Sequence, residues 1–307
     1  MRDWREGRSD LLAAGLWFSA MLLPRHWLFC SALAIALAAA PAAFAVPPPK
    51  RTDPALQMRV QAALPRQPQL LQQALHALAP QRPGVRDLYF VGFAGYGDQD
   101  VFRKEVERVR AQFDQEFGTR GHSLVLVNSP ATLDRYPLAT LQNLKTVLAE
   151  LGKQFDPQED VLFLFMTSHG DRRTGLALRL NGRRLGDIVP RQLADVLASA
   201  GIKNRVVLIS SCFSGQFVTP LANDDSLVIT ASAANRSSFG CATDAEWTYF
   251  GKSYFVDALP EQKKFIPAFY DAQNIVAVRE VGDQVPPSQP QISIGSRIER
   301  VLQELGY

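Results

Sequence analysis

Residues 161–170 read VLFLFMTSHG, and residues 205–215 read RVVLISSCFSG. Each contains a short, unbroken apolar run, Val161 to Met166 in the first and Val206 to Ile209, within the strand Arg205 to Ser210, in the second. Runs of this length without alternation are expected of strands buried on both faces, the situation of a parallel sheet covered by helices. Between them lie a brief strand, Leu176 to Leu180, and a helix, Pro190 to Ala200, with proline in its first turn. A crossover containing a helix makes the two runs parallel neighbours that point the same way.

The same alternation extends outward. Upstream, Asp87 to Phe93 and Ser123 to Val127 read as strands, and 100–117 and 138–151 as helices. Downstream, Ser226 to Thr230 and Gln291 to Ile294 read as strands, with helices over 249–259, 266–280 and 296–305. The expected fold is a three-layer α/β/α sandwich with a mostly parallel sheet, spanning residues 87–307. Residues 46–86 read as a Pro-rich linker (VPPPKRTDP) followed by two short amphipathic helices whose leucines are placed to dock on the domain.

In an open parallel sheet, functional residues gather beyond the carboxyl ends of the strands. Here one strand runs into His169-Gly170 and its neighbour into Cys212-Phe213-Ser214-Gly215. Cysteine attacks as the thiolate, and an adjacent imidazole can take the thiol proton and later return it to a leaving amine. A glycine after the histidine lets a backbone N–H approach a substrate oxygen, so Gly170 and Cys212 N–H groups are the candidate oxyanion hole. A lone buried cysteine is ordinarily a small hydrophobe. Cys212 and His169 at two adjacent strand ends are read instead as nucleophile and acid/base.

These residues resemble the legumain-type (asparaginyl endopeptidase) cysteine peptidases, which share the caspase-like fold; the GPI-anchor transamidase subunit belongs to the same family. Ala233 to Cys241 (AANRSSFGC) looks like the family segment after the nucleophile strand, and Thr248-Tyr249-Phe250-Gly251 matches a family Thr-Tyr-x-Gly. The resemblance covers about residues 87–260, and the chain looks especially like bacterial members with similar N-terminal signals. It implies a caspase/legumain-like fold, a His169/Cys212 dyad, Gly170 as oxyanion donor, and Ser210, Ser237 and Ser238 at the substrate pocket. It also implies that Cys241 is a buried structural thiol rather than a disulfide partner of Cys212. Three positions depart from the family: Ser210 and Lys252 stand where it has acids, and Ala94 where it has an asparagine that supports the histidine. Loop lengths leave Arg103 without a firm match to a family pocket arginine. The resemblance thus carries the catalytic step and not the preference for asparagine.

The expected reaction is hydrolysis of a peptide bond in a peptide or protein substrate through a thioester. The alternatives are a transamidase with the same dyad, or a non-catalytic binding protein on the same scaffold. Lys+Arg number 33 against Asp+Glu 30, for a charge of +3, which gives no basic footprint for nucleic acid. The chain has three cysteines and no His-x-x-x-His or Cys-x-x-Cys pair, so neither a metal site nor any cofactor is implied. Gly92 to Gly97 (GFAGYG) lacks dinucleotide-binding spacing and reads as a loop near the active site. Arg172-Arg173 and Arg183-Arg184 read as rims of exposed turns.

Residues 28–45 (LFCSALAIALAAAPAAFA) follow Arg25 and His26 and end in Ala43-Phe44-Ala45. Charged start, apolar middle and small-x-small end describe a signal peptide cleaved after Ala45, with Met21 as the expected true start. Residues 1–45 are therefore expected to export the protein to a periplasmic or extracellular location. The alternative is an inner-membrane anchor with the catalytic domain outside the cytoplasm.

Overall fold

The computed structural model describes residues 53–307. Its strands follow the chain as β1 (Leu88–Ala94), β2 (Ser123–Val127), β3 (Val161–Thr167), β4 (Gly170–Asp171), β5 (Gly175–Leu180), β6 (Arg183–Ile188), β7 (Arg205–Ser210), β8 (Ser226–Thr230) and β9 (Gln291–Ile294). One sheet has the order β2-β1-β3-β7-β8-β9, parallel throughout except for β9, which runs antiparallel to β8 at the edge. The two apolar runs, β3 and β7, are paired in parallel at its centre. The export and anchor expectations for residues 1–45 fall outside the described residues; among those described, no helix is long and apolar enough to cross a membrane.

Alternate residues of each strand face opposite ways, and each face meets its own helices. Phe90, Phe163, Phe165 and Leu208 pack with Val106, Val109 and Phe113 of α3 (Asp100–Glu116) and with the helices of the C-terminal third. An aromatic cluster fills this layer, with the Phe163 ring 4.5 Å from Phe113 and 5.0 Å from Phe265. On the other face Val91, Leu164, Met166 and Val207 meet Leu144 and Leu148 of α4 (Leu141–Gln154) and Leu193 and Leu197 of α5 (Pro190–Ser199). The result is a three-layer α/β/α sandwich with a mostly parallel sheet. Helix α4 begins three residues later than its periodicity suggests, because the Thr140 hydroxyl accepts from Asn143 N–H at 3.1 Å and caps it there.

A second, small sheet joins β4, β5 and β6 antiparallel. Asn181 (φ 51°) and Gly182 (φ 71°) form the two-residue turn between β5 and β6, the conformation that hairpins favour. Arg183 and Arg184 therefore open a strand rather than edge a simple turn. The two helices near the start, Pro54–Ala63 and Gln67–His76 (α1 and α2), lie against this unit. Val60 and Ala63 cover Leu133, Leu138 and Leu180, and Leu71 joins the α4 face. The described residues, 53–307, accordingly fall within one compact unit.

Candidate active site

Thr167 and Ser210 are the last paired residues of β3 and β7. His169 and Cys212 each stand two residues further on, at the same end of adjacent parallel strands. Gly170 lies so close that a Cβ on it would overlap the Cys212 carbonyl oxygen. Phe213, the residue after the nucleophile, has φ 57°, a left-handed conformation that costs a non-glycine residue on the order of 1–2 kcal/mol. Its N–H donates to Arg236 C=O at 2.7 Å, and the Arg172 guanidinium sits 4.9 Å above its ring. The turn is held from behind, where Ser214 N–H donates to Ser232 Oγ at 3.2 Å and Ser232 Oγ donates to Ser211 C=O at 3.0 Å. A Cβ on Gly215 would lie 2.5 Å from Ala234 N.

His169 is wedged edge-on between Tyr96, at 4.4 Å between ring centroids, and Phe102, at 5.3 Å. Burial among these rings pushes its pKa down to about 4, so the imidazole is neutral at physiological pH. Its Nε2 hydrogen-bonds Gln99 Oε1. With that oxygen as acceptor, Nε2 carries the proton and Nδ1 keeps its lone pair. The Gly-rich 92–97 loop thus does border the site, through Tyr96.

The Cys212 thiol is engaged by a backbone strap rather than by His169. Its Sγ lies 3.3 Å from both Ser238 C=O and Ser238 N–H. Ser237 is exposed beside it, whereas Ser210 is buried with its hydroxyl 3.2 Å from Thr248 Oγ1. Cys241 is a free thiol, as is Cys212. Burial first, and the nearby Cys212 second, push the Cys241 pKa up to about 11. Cys241 is thereby a poor thiolate and an unreactive neighbour. Asp171 turns its carboxylate into its own loop, accepting from Arg173 and Thr174 N–H groups, which hold its pKa down.

Two residues considered from the sequence are occupied elsewhere. Arg103 is paired along its own helix with Glu107 at 2.7 Å and Asp100 at 3.3 Å. Lys252 is paired with Asp257 at 2.8 Å. Ala94 is buried in β1 opposite Thr167 and reaches nothing polar with its side chain. The side chain that bonds the histidine is Gln99, five residues on, in a loop where a lone glutamine carries no periodic or motif signal. Among the described residues, no group of three His, Cys, Asp or Glu side chains is arranged to hold a metal ion.

The peptidase C13 family model matches residues 139–294, just over half of the chain and including both strand ends described above. No curated protein matches in sequence. Among solved structures, the crystal structure of caspase-1 from Spodoptera frugiperda is similar over 71% of this chain and 94% of that chain, with 12% identity and a TM-score of 0.47.

Proposed function

Because the chain belongs to the peptidase C13 family, we propose that it is a cysteine endopeptidase in which Cys212 is the nucleophile and His169 the acid/base. The observation that carries this reading is the Thr167–Ser210 register, which sets the two residues at matched positions beyond neighbouring strands. A neutral His169 with a free Nδ1 lone pair is in the state required to accept the thiol proton.

In this mechanism a substrate first displaces Ser238 from the thiol. The Cys212 proton passes to His169 as sulfur bonds to the scissile carbonyl carbon, and the carbonyl electrons move onto oxygen. The N–H groups of Gly170 and Cys212 face that oxyanion. Imidazolium is costly among Tyr96 and Phe102, which favours onward transfer of the proton to the departing amine as the C–N bond breaks. Water, deprotonated by His169, then adds to the thioester and returns the thiol.

The test is mass spectrometry after incubation with acyloxymethyl-ketone or epoxide peptides. The expected result is one adduct on Cys212, lost in Cys212→Ala and in His169→Ala while circular dichroism stays native. Labelling that persists in Cys212→Ala overturns the assignment. Product analysis with an added amine separates hydrolysis from acyl transfer to that amine.

A further inference from the structure

The two strand ends are joined from below by one buried carboxylate. Thr167 Oγ1, at the end of β3, donates to Glu105 Oε2 at 2.8 Å. Thr248 donates to Glu105 Oε1 through both its N–H and its hydroxyl, each at 2.7 Å. Thr248 Oγ1 in turn lies 3.2 Å from Ser210 Oγ, at the end of β7, and accepts from Gly251 N–H at 3.0 Å. A Cβ on Gly251 would overlap Glu105 Oε1. Glu105 is 0% exposed, and none of the ion pairs among the described residues includes it.

A merely structural network would be better served by a neutral group, since a buried carboxylate with no cation at contact distance destabilises the fold. Burial pushes the Glu105 pKa up to about 6, against the pull of its three hydrogen bonds. The groups facing it from β3, β7 and the 248–251 segment are hydroxyls and an amide. Its charged or titratable neighbours are Arg108 on its own helix and the Cys241 thiol. An unpaired charge kept at this one place, two residues below both His169 and Cys212, is a feature of functional sites rather than of cores.

Resting on the peptidase reading above, we propose that Glu105 is a positioning residue that ties the ends of β3 and β7 to the 248–251 segment and so fixes the separation of His169 from Cys212. Glu105 touches no substrate and acts only through Thr167, Thr248 and Ser210.

The experiment compares wild type, Glu105→Ala, Glu105→Gln and Thr167→Val. It measures the saturating rate and half-saturating concentration of Cys212 labelling by a peptide epoxide from pH 4.5 to 8.5, alongside amide hydrogen exchange. Glu105→Ala should lower the saturating rate about tenfold or more, the scale of one lost orienting interaction, with half-saturation little changed. Glu105→Gln keeps an acceptor for Thr248 but loses the one for Thr167 together with the charge, so it should recover only part of the rate and abolish any inflection near pH 6. Thr167→Val removes a bond that lowers the Glu105 pKa, so it should move that inflection upward. A Glu105→Ala protein with the wild-type rate and pH profile overturns the proposal. If that variant does not fold, an unshifted inflection in the near-isosteric Thr167→Val does so instead. If even wild type is not labelled, the peptidase reading falls, and exchange decides the tie alone. Faster exchange at 168–170 and 211–213 in Glu105→Ala or Thr167→Val, with the opposite strand ends unchanged, supports it; unchanged exchange at those residues overturns it.

Discussion

His169 sits where its charged form is disfavoured, and what orients it is one amide. Tyr96 and Phe102 hold the plane of the ring but make no hydrogen bond to it, so the bond from Nε2 to Gln99 is what selects between its two flipped orientations. Gln99→Ala should therefore slow Cys212 labelling about tenfold, equivalent to the ~1.4 kcal/mol of one hydrogen bond. Its thermal stability should be close to wild type, because the Gln99 backbone is unaffected. Labelling kinetics beside a thermal melt checks both. Glu105 gives a second prediction, on stability. Its folded pKa, raised from 4.5 to about 6, means that the native state holds the proton more tightly than the unfolded chain. The favourable contribution is complete below pH 4.5 and is lost as pH rises through 6. At pH 7.5 Glu105→Gln should then be more stable than wild type by at most about 2 kcal/mol, a gap that closes between pH 6 and 4.5. Urea titrations at the two ends of that window measure it. The two residues differ in legibility. Gln99 is a polar residue in a polar loop and nothing in its spacing marks it. Glu105 falls between Val101 and Val109 at four-residue intervals, on the stripe that faces the core, and an acid on an apolar stripe is a visible violation of the pattern.

Between elements, the decisive contact is the approach of the β3 end to the nucleophile turn. Gly170 presses its Cα against the Cys212 carbonyl, and any side chain there must drive the two segments apart. Gly170→Ala should destabilise the protein by ~1–3 kcal/mol, the usual cost of overpacking, and reduce labelling of Cys212 far more than that loss of stability explains. Denaturant midpoints and labelling rates of the same sample separate the two effects. The strands that build this contact were readable from their apolar runs, since burial on both faces removes any alternation. The small β4–β5–β6 sheet is legible in two places: Leu176 to Leu180 has the composition of a strand, and the Asn181-Gly182 pair that reverses it is a strong hairpin signal. The resemblance implies Ser238 at the pocket, but nothing in the sequence marks its seating on the thiol itself. It arises from the path of a loop, and loops carry no hydrophobic period to read.

Across the whole molecule, alternation conveys a mostly parallel sheet, and the helix-containing crossover conveys that β3 and β7 are parallel neighbours, while the places of β1, β2, β8 and β9 come from the structure alone. What alternation did not convey is how far the cooperative unit extends beyond the sheet. The α1–α2 pair precedes the first strand and looks like an appendage in sequence, yet Gln67 joins it to the domain as a backbone would. Its Nε2 donates to Leu133 C=O at 3.1 Å and its Oε1 accepts from Leu138 N–H at 2.9 Å, at 8% exposure. These bonds fix the 133–138 segment, whose Leu133 and Leu138 complete their burial only under Val60 and Ala63. Gln67→Ala should leave a buried donor and a buried acceptor unpaired and cost about 1–3 kcal/mol. If α1–α2 and the sheet unfold together, the variant's urea midpoint falls while the slope of the transition stays as in wild type, since the same surface is exposed in one step. In the chain from Val46 onward, where Trp247 is the single tryptophan, far-ultraviolet circular dichroism and the fluorescence of Trp247, which packs against the sheet-side core, should then trace one coincident curve. A helical signal lost before the tryptophan signal would instead make α1–α2 a separately melting attachment, and the domain proper would begin at β1.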